Sequence, residues 1–168
     1  MILQDGDILH CFSDELLSKA IRKVSDSKYS HTAMVIEIWG HLFVIDSQAK
    51  GTTLKTLDDW KNKYNYKYDI SRPTNGITNE IRVRAVGKCG DTPYDFTSLI
   101  IFQPIYQLTG KWLGRKGKKS EKRMYCSELV CYVYSIPFAY SNAPQDVFDY
   151  CITHTYQFIT IIKDTSTR

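Results

Sequence analysis

Hydrophobic and polar positions divide the chain into short elements of both kinds. Asp7-Ile8-Leu9, following a glycine, reads as a first strand. SDELLSKAIRKVSD then places Leu16, Leu17, Ala20, Ile21 and Val24 on one helical face. Ser13 is the expected N-cap, with Asp14 and Glu15 in the first turn. HTAMVIEIWGHLFVIDS holds two β-rich runs, Thr32 to Ile38 and Leu42 to Ile45. They are broken at Trp39-Gly40-His41, which predicts a hairpin. LKTLDDWKNKY suggests a short helix, and the alternation of Ile81, Val83 and Ala85 against charges over 80–86 predicts a strand.

The second half is read as more helical. Pro93 opens YDFTSLIIFQPIYQLTGKW, a helix expected to be interrupted near Pro104. CSELVCYVYSI is a compact apolar helix ending before Pro137. Pro144 marks another helix start, and TYQFITII a last strand before a charged tail expected to fray. Strands and helices mix without regular βαβ alternation, so the expected class is α+β in one domain spanning 1–168.

Composition narrows the function classes. With 43% hydrophobic and 24% charged residues the chain is globular. The start lacks a basic n-region with a long apolar run, and no apolar run is long enough for a membrane span; a cytoplasmic location is expected. Five scattered cysteines do not form a disulfide framework, and no CxxC pair suggests zinc. No metal or organic cofactor is expected. The net charge of +4 is mild and owes much to GKWLGRKGKKSEKR at 110–123, with seven Lys or Arg against one Glu. The segment reads as a solvated loop, or as a surface for anionic partners through Lys116, Lys118, Lys119 and Lys122. Nucleic acid is not expected, because no stacking aromatics accompany the charge. Vesicle binding through this loop is expected to be weak or absent.

Candidate chemistry centres on RMYCSELVCYVYSI. Cys126 falls at the start of its helix, where unpaired N–H groups favour a thiolate; Cys131 lies more than a turn deeper among apolar residues and is expected in the core. A helix-start thiol is more often structural than reactive, so its neighbours decide. Of four histidines, His31 opens a strand, where the backbone can hold an imidazole rigidly at a cleft. Asp46 ends the second hairpin arm, opposite the start of the first, and can orient that imidazole; Glu37 lies at the far end of the first arm.

The ordered set GDIL, SHTAMVIE, FVIDS, PYDFTSL, YCSELV and APQDVFD resembles the circularly permuted NlpC-type papain-like cysteine hydrolases. The likeness is to the YiiX/YaeF-like group and, more distantly, to lecithin:retinol acyltransferase-type enzymes. The resemblance implies a permuted papain-like fold, an antiparallel sheet packed against helices. It carries the histidine onto His31, the polar residue onto Asp46 and the nucleophile onto Cys126. It also implies a hydrolase cleaving an amide, with peptides or glycopeptides such as peptidoglycan peptides as substrates, through a thioester. The same fold serves lipid ester or amide hydrolysis and acyl transfer at membranes, so a lipid substrate is the alternative reading. A binding module without turnover is the third.

Overall fold

The computed structural model describes residues 2–162, apart from the side chains at positions 17, 24, 117, 120 and 139. The expected fraying tail, and the helix-face positions Leu17 and Val24, therefore lie outside what is described.

Six antiparallel strands form one sheet in the order β4-β3-β2-β1-β5-β6. They are β1 (Ile8–Phe12), β2 (His31–Ile38), β3 (His41–Gln48), β4 (Gly51–Thr56), β5 (Lys67–Pro73) and β6 (Phe158–Ile161). The hairpin β2–β3 turns through Trp39 and Gly40 at φ of 51° and 78°, both left-handed. Two such residues in succession match the twist of the flanking strands, as in a two-residue primed turn. Alternation along β2 splits its side chains between the faces. Ala33 and Val35 join Leu9, Val44, Ile70 and Trp60 on one face, while Met34 and Ile36 join Ile45, Ala85, Met124, Leu129 and Val133 on the other.

The helices are α1 (Leu16–Val24), α2 (Leu57–Lys63), α3 (Asn79–Val86), α4 (Gln103–Thr109), α5 (Cys126–Tyr134) and α6 (Pro144–Thr153). Helix α2 covers the Trp60 face, and α3 and α5 pack on the opposite one. Pro144 occupies the first turn of α6, as its fixed φ predicts. Cys131 is fully buried beside Ile8, Val130 and Val147.

Two expectations are corrected. Residues 79–86 form α3 and not a strand. Thr78 caps it by accepting from the Ile81 N–H, and Ala85 is buried while Val83 is 72% exposed. Alternation over so few residues does not distinguish the two periods; the Thr78 cap decides it. Ser13 is not the N-cap of α1. The helix begins at Leu16 after Glu15, so Asp14 and Glu15 precede its first turn. Of the described apolar side chains on α1, Leu16 is 87% exposed and Ile21 lines an open cleft.

The expected interruption at Pro104 is a π-helical turn over Ser98–Phe102 leading into α4. Proline has no N–H for the Ile100 carbonyl and its ring crowds that position, so the ladder slips: Gln103 N–H bonds the Ser98 carbonyl, one residue further back. The preceding segment is tied to the sheet edge by Thr52 N–H to Thr92 O at 2.9 Å and Gly90 N–H to Thr52 O at 3.0 Å. Gly51, at φ 95°, makes this approach possible, because a Cβ there would lie 2.8 Å from the Thr92 oxygen.

Candidate active site

The hairpin register brings two of the expected residues together. Ala33 pairs with Asp46, so His31, two residues earlier on the same face of β2, is the diagonal neighbour of Asp46. His31 Nε2 lies 3.5 Å from Asp46 Oδ2. That is an ion-pair contact, longer than a formed N–H···O bond.

Asp46 is completely buried, and its carboxylate is held from several elements. Oδ2 accepts from Trp60 Nε1 at 2.9 Å and Gln48 Nε2 at 2.7 Å; Oδ1 accepts from Thr53 Oγ1 at 3.1 Å and Lys55 Nζ at 3.2 Å. Burial alone would raise its pKa. The facing imidazolium of His31, with the Lys55 ammonium and the Trp60 N–H, holds it well below the usual carboxylate range.

Cys126 is the first residue of α5, preceded by Tyr125 in extended backbone at the N-cap. Its position is set from both sides of the chain. The Met124 carbonyl accepts from Ser47 Oγ at 2.7 Å, the Met124 N–H bonds the Pro93 carbonyl at 3.1 Å, and Ser127 Oγ bonds the Asn142 carbonyl at 2.7 Å. This places the sulfur close to His31 and to the backbone N–H groups of Thr32 and Ser127.

The thiol and the imidazole shift each other. Burial would raise the Cys126 pKa, but the His31 charge and these three donors bring it below its ordinary value. Burial would lower that of His31, but the Cys126 thiolate and the facing Asp46 carboxylate push it well above 6.5. The favoured state is a thiolate–imidazolium pair. The other four cysteines go the opposite way, Cys89 to about 11 and Cys151 to about 12, and Cys11 and Cys131 also upward, all because of burial.

Several contributors escaped the sequence reading. Tyr66 stacks on His31 with ring centroids 5.4 Å apart. Tyr94 lines the same cleft as His31, and burial together with the Cys126 charge raises its phenol pKa. Lys55 and Thr53 share a face of β4, two residues apart; that alternation, with Asp46 known, is the signal that could have found them. The histidines set aside lie elsewhere: His10 is buried against Ser71 Oγ at 2.9 Å, and His154 stacks on Tyr150.

A cleft of about 430 Å³ opens above His31, a size usual for small-ligand sites. Ile21, Tyr66, Phe96, Leu99, Ile100 and Pro104 give it a largely apolar wall. Cys126, 1% exposed, is not itself among the lining residues.

An antiparallel sheet with helices on both faces, carrying its histidine and aspartate before its helix-start cysteine, is a papain-like fold in permuted order. The family of permuted papain-like amidases, YaeF/YiiX (C92), matches residues 2–148, and the chain belongs to it. Among solved structures it is similar to the metalloprotein YiiX of Escherichia coli O157:H7, with a TM-score of 0.61 and 21% identity over 96% of this chain and 97% of that one. No curated protein matches the chain.

Proposed function

We propose that the protein is a cysteine amidase in which Cys126 is the nucleophile, His31 the proton carrier and Asp46 the group that orients and charges the imidazole. The observation that carries this is a thiol at a helix N-terminus, beside a buried histidine that itself faces a buried carboxylate. The thiolate attacks the amide carbonyl carbon, forming a C–S bond and sending the carbonyl electron pair to oxygen. First-turn N–H groups of α5, unpaired at the helix start, are the donors available to the charge that develops there. His31 protonates the leaving nitrogen as the C–N bond breaks, leaving a thioester. Water, deprotonated by His31, then releases the acid and restores the thiol.

The chain's similarity to a metalloprotein raises a metal as an alternative. Among the described residues no group of three or more His, Cys, Asp or Glu is placed to hold an ion, and the Asp46 oxygens are already taken by Trp60, Gln48, Thr53 and Lys55. The donor set does not fit one, and no step is routed through it.

The cleft bears on the substrate. Among the described residues, the ionisable groups of its wall besides His31 are Glu15, Tyr66 and Tyr94, with no lysine or arginine. A charged stem peptide would find no cationic partner there, whereas an apolar acyl group would be covered. This favours an amide with an apolar acyl half, including lipid-derived amides, over peptidoglycan peptides. Contact of Lys116, Lys118, Lys119 and Lys122 with an anionic surface belongs to the same reading; all four are exposed. No helix among the described residues is long and apolar enough to cross a membrane.

Iodoacetamide near neutral pH tests the nucleophile. Cys126 should be alkylated before the other four cysteines, and Cys126→Ala should abolish both labelling and amide turnover. Earlier labelling of Cys11 or Cys89, with Cys126 inert in the folded protein, refutes the assignment.

A further inference from the structure

Among the described residues of the cleft wall, three carry a buried polar atom without a partner, Ser13 Oγ, His31 Nε2 and Gln103 Nε2, and of these Gln103 is the one amide. Gln103 is 2% exposed and lines the cleft with His31 and Tyr94. Its Oε1 accepts from the Tyr125 hydroxyl at 3.3 Å, while its Nε2 has no partner. Turning the amide over exchanges the atoms but still leaves one end free. An unmet buried amide is costly, and such groups in native proteins are met by water, ligand or function.

Its placement is built in. Pro104 and the π turn of Ser98–Phe102 set where α4 begins, and Gln103 is the residue at that junction. The Tyr125 hydroxyl then fixes the amide from the same residue that caps the Cys126 helix. Two different chain segments therefore fix Gln103 in the cleft wall beside Leu99, Ile100 and Pro104. Of its neighbours, Ser25 and Ser47 spend their hydroxyls on backbone carbonyls, and Ser18 and Ser30 bond each other at 2.6 Å.

We infer that Gln103 is a specificity-determining residue that hydrogen-bonds a polar group within the acyl half of the substrate. The preferred acyl half is thus uncharged and mainly apolar, but interrupted by one amide, carbonyl or hydroxyl group. This rests on the amidase reading above and deepens it. A site built around a hydrogen bond rejects the analogue that lacks the partner, because the protein group is then buried unpaired. Loss of one such neutral bond corresponds to roughly a tenfold discrimination.

The test uses two chloromethyl ketones with acyl chains of equal length, one octanoyl and one N-butanoyl-β-alanyl, followed by intact mass and peptide mapping of Cys126. These probes displace chloride with the thiolate and form a stable thioether, so no amide turnover is needed. Wild type should label about tenfold faster with the amide-bearing probe. Gln103→Met should remove that preference while leaving octanoyl labelling within about twofold, and Gln103→Asn tests whether a shorter amide restores part of it. Equal rates for the two probes in wild type, or a preference that survives Gln103→Met, overturns the inference and leaves the amidase intact. An equal loss with both probes in Gln103→Met also overturns it, since that is the signature of a group serving the scissile carbonyl or the fold. Failure of either probe to label Cys126 in wild type sinks the underlying amidase reading instead.

Discussion

Replacing Asp46 with asparagine should damage both stability and proton transfer, by amounts the structure allows to be worked out. Trp60, Gln48 and Thr53 each donate to the carboxylate, and Lys55 is its cation, with only 17% of the lysine side chain exposed. A hydrogen bond to a charged acceptor contributes about 1.5–3 kcal/mol against about 1 for a neutral one, so three weakened bonds cost about 2–3 kcal/mol. Lys55 then loses its counter-ion, and the asparagine NH₂ must face at least one donor. The sum is about 3–5 kcal/mol, in the range for breaking one side of a buried pair. At this chain length that lowers Tm by roughly 6–20 °C. Lys55→Met should cost less, since three donors and His31 still hold the carboxylate. The double variant should be more stable than the sum predicts, because removing the lysine relieves the clash with the new NH₂ group. Urea titrations of the four proteins at pH 7 measure this. The functional signature is separate: without its anion the raised His31 pKa falls, so the alkaline limb of amide turnover moves to lower pH. An Asp46→Asn cost below about 1 kcal/mol, strict additivity with Lys55→Met, or an unmoved alkaline limb refutes the reasoning.

Two further outcomes follow from other parts of the molecule. Glu128, 2% exposed, accepts from Tyr125 N–H at 3.2 Å, and burial pushes its pKa up to about 9, against about 4.3 unfolded. The folded state therefore holds an extra proton between those values, and stability falls as pH rises through them by up to about 1.4 kcal/mol per unit. Glu128→Gln should flatten this slope and gain on wild type steadily from pH 5 to 8 in urea midpoints; parallel curves refute it. Replacing Lys116, Lys118, Lys119 and Lys122 with serine should remove a small, salt-sensitive cosedimentation with anionic vesicles and leave turnover of a soluble amide unchanged. Salt-resistant vesicle binding, or loss of soluble turnover, contradicts that.

The parts legible in the sequence are those governed by neighbours in the chain. Alternation on either side of Trp39-Gly40 determines the β2–β3 register, and the register alone makes His31 and Asp46 neighbours. The helix starts at Cys126 and Pro144 follow from local signals too. The segment Lys67–Pro73 went unassigned although it is a central strand, because its mixed KYDISRP pattern carries no clean alternation. Lys55, Trp60, Tyr66, Tyr94 and Gln103 were missed for a different reason. Each acts on the site through contacts made only once β4, α2, β5 and the 90–104 segment have docked, and no local pattern distinguishes them from ordinary surface or core residues. The resemblance supplied what local physics did not, the link between Cys126 and the hairpin.

The division of the site between a hairpin and a distant helix has a consequence for the nascent or damaged chain. His31 and Asp46 come together whenever β2 and β3 pair, but Cys126 meets them only after the long intervening segment has folded and Met124 is anchored to Ser47 and Pro93. Until that docking, Cys126 is an ordinary thiol with a pKa of about 8.5, mostly protonated in a neutral solution. With Cys126 as the proposed nucleophile, completion of the fold is what switches its reactivity on. A chain still emerging from the ribosome, or opened by heat, carries no standing thiolate to acylate or oxidise, and alkylation of Cys126 near neutral pH reports how much of the population is finished.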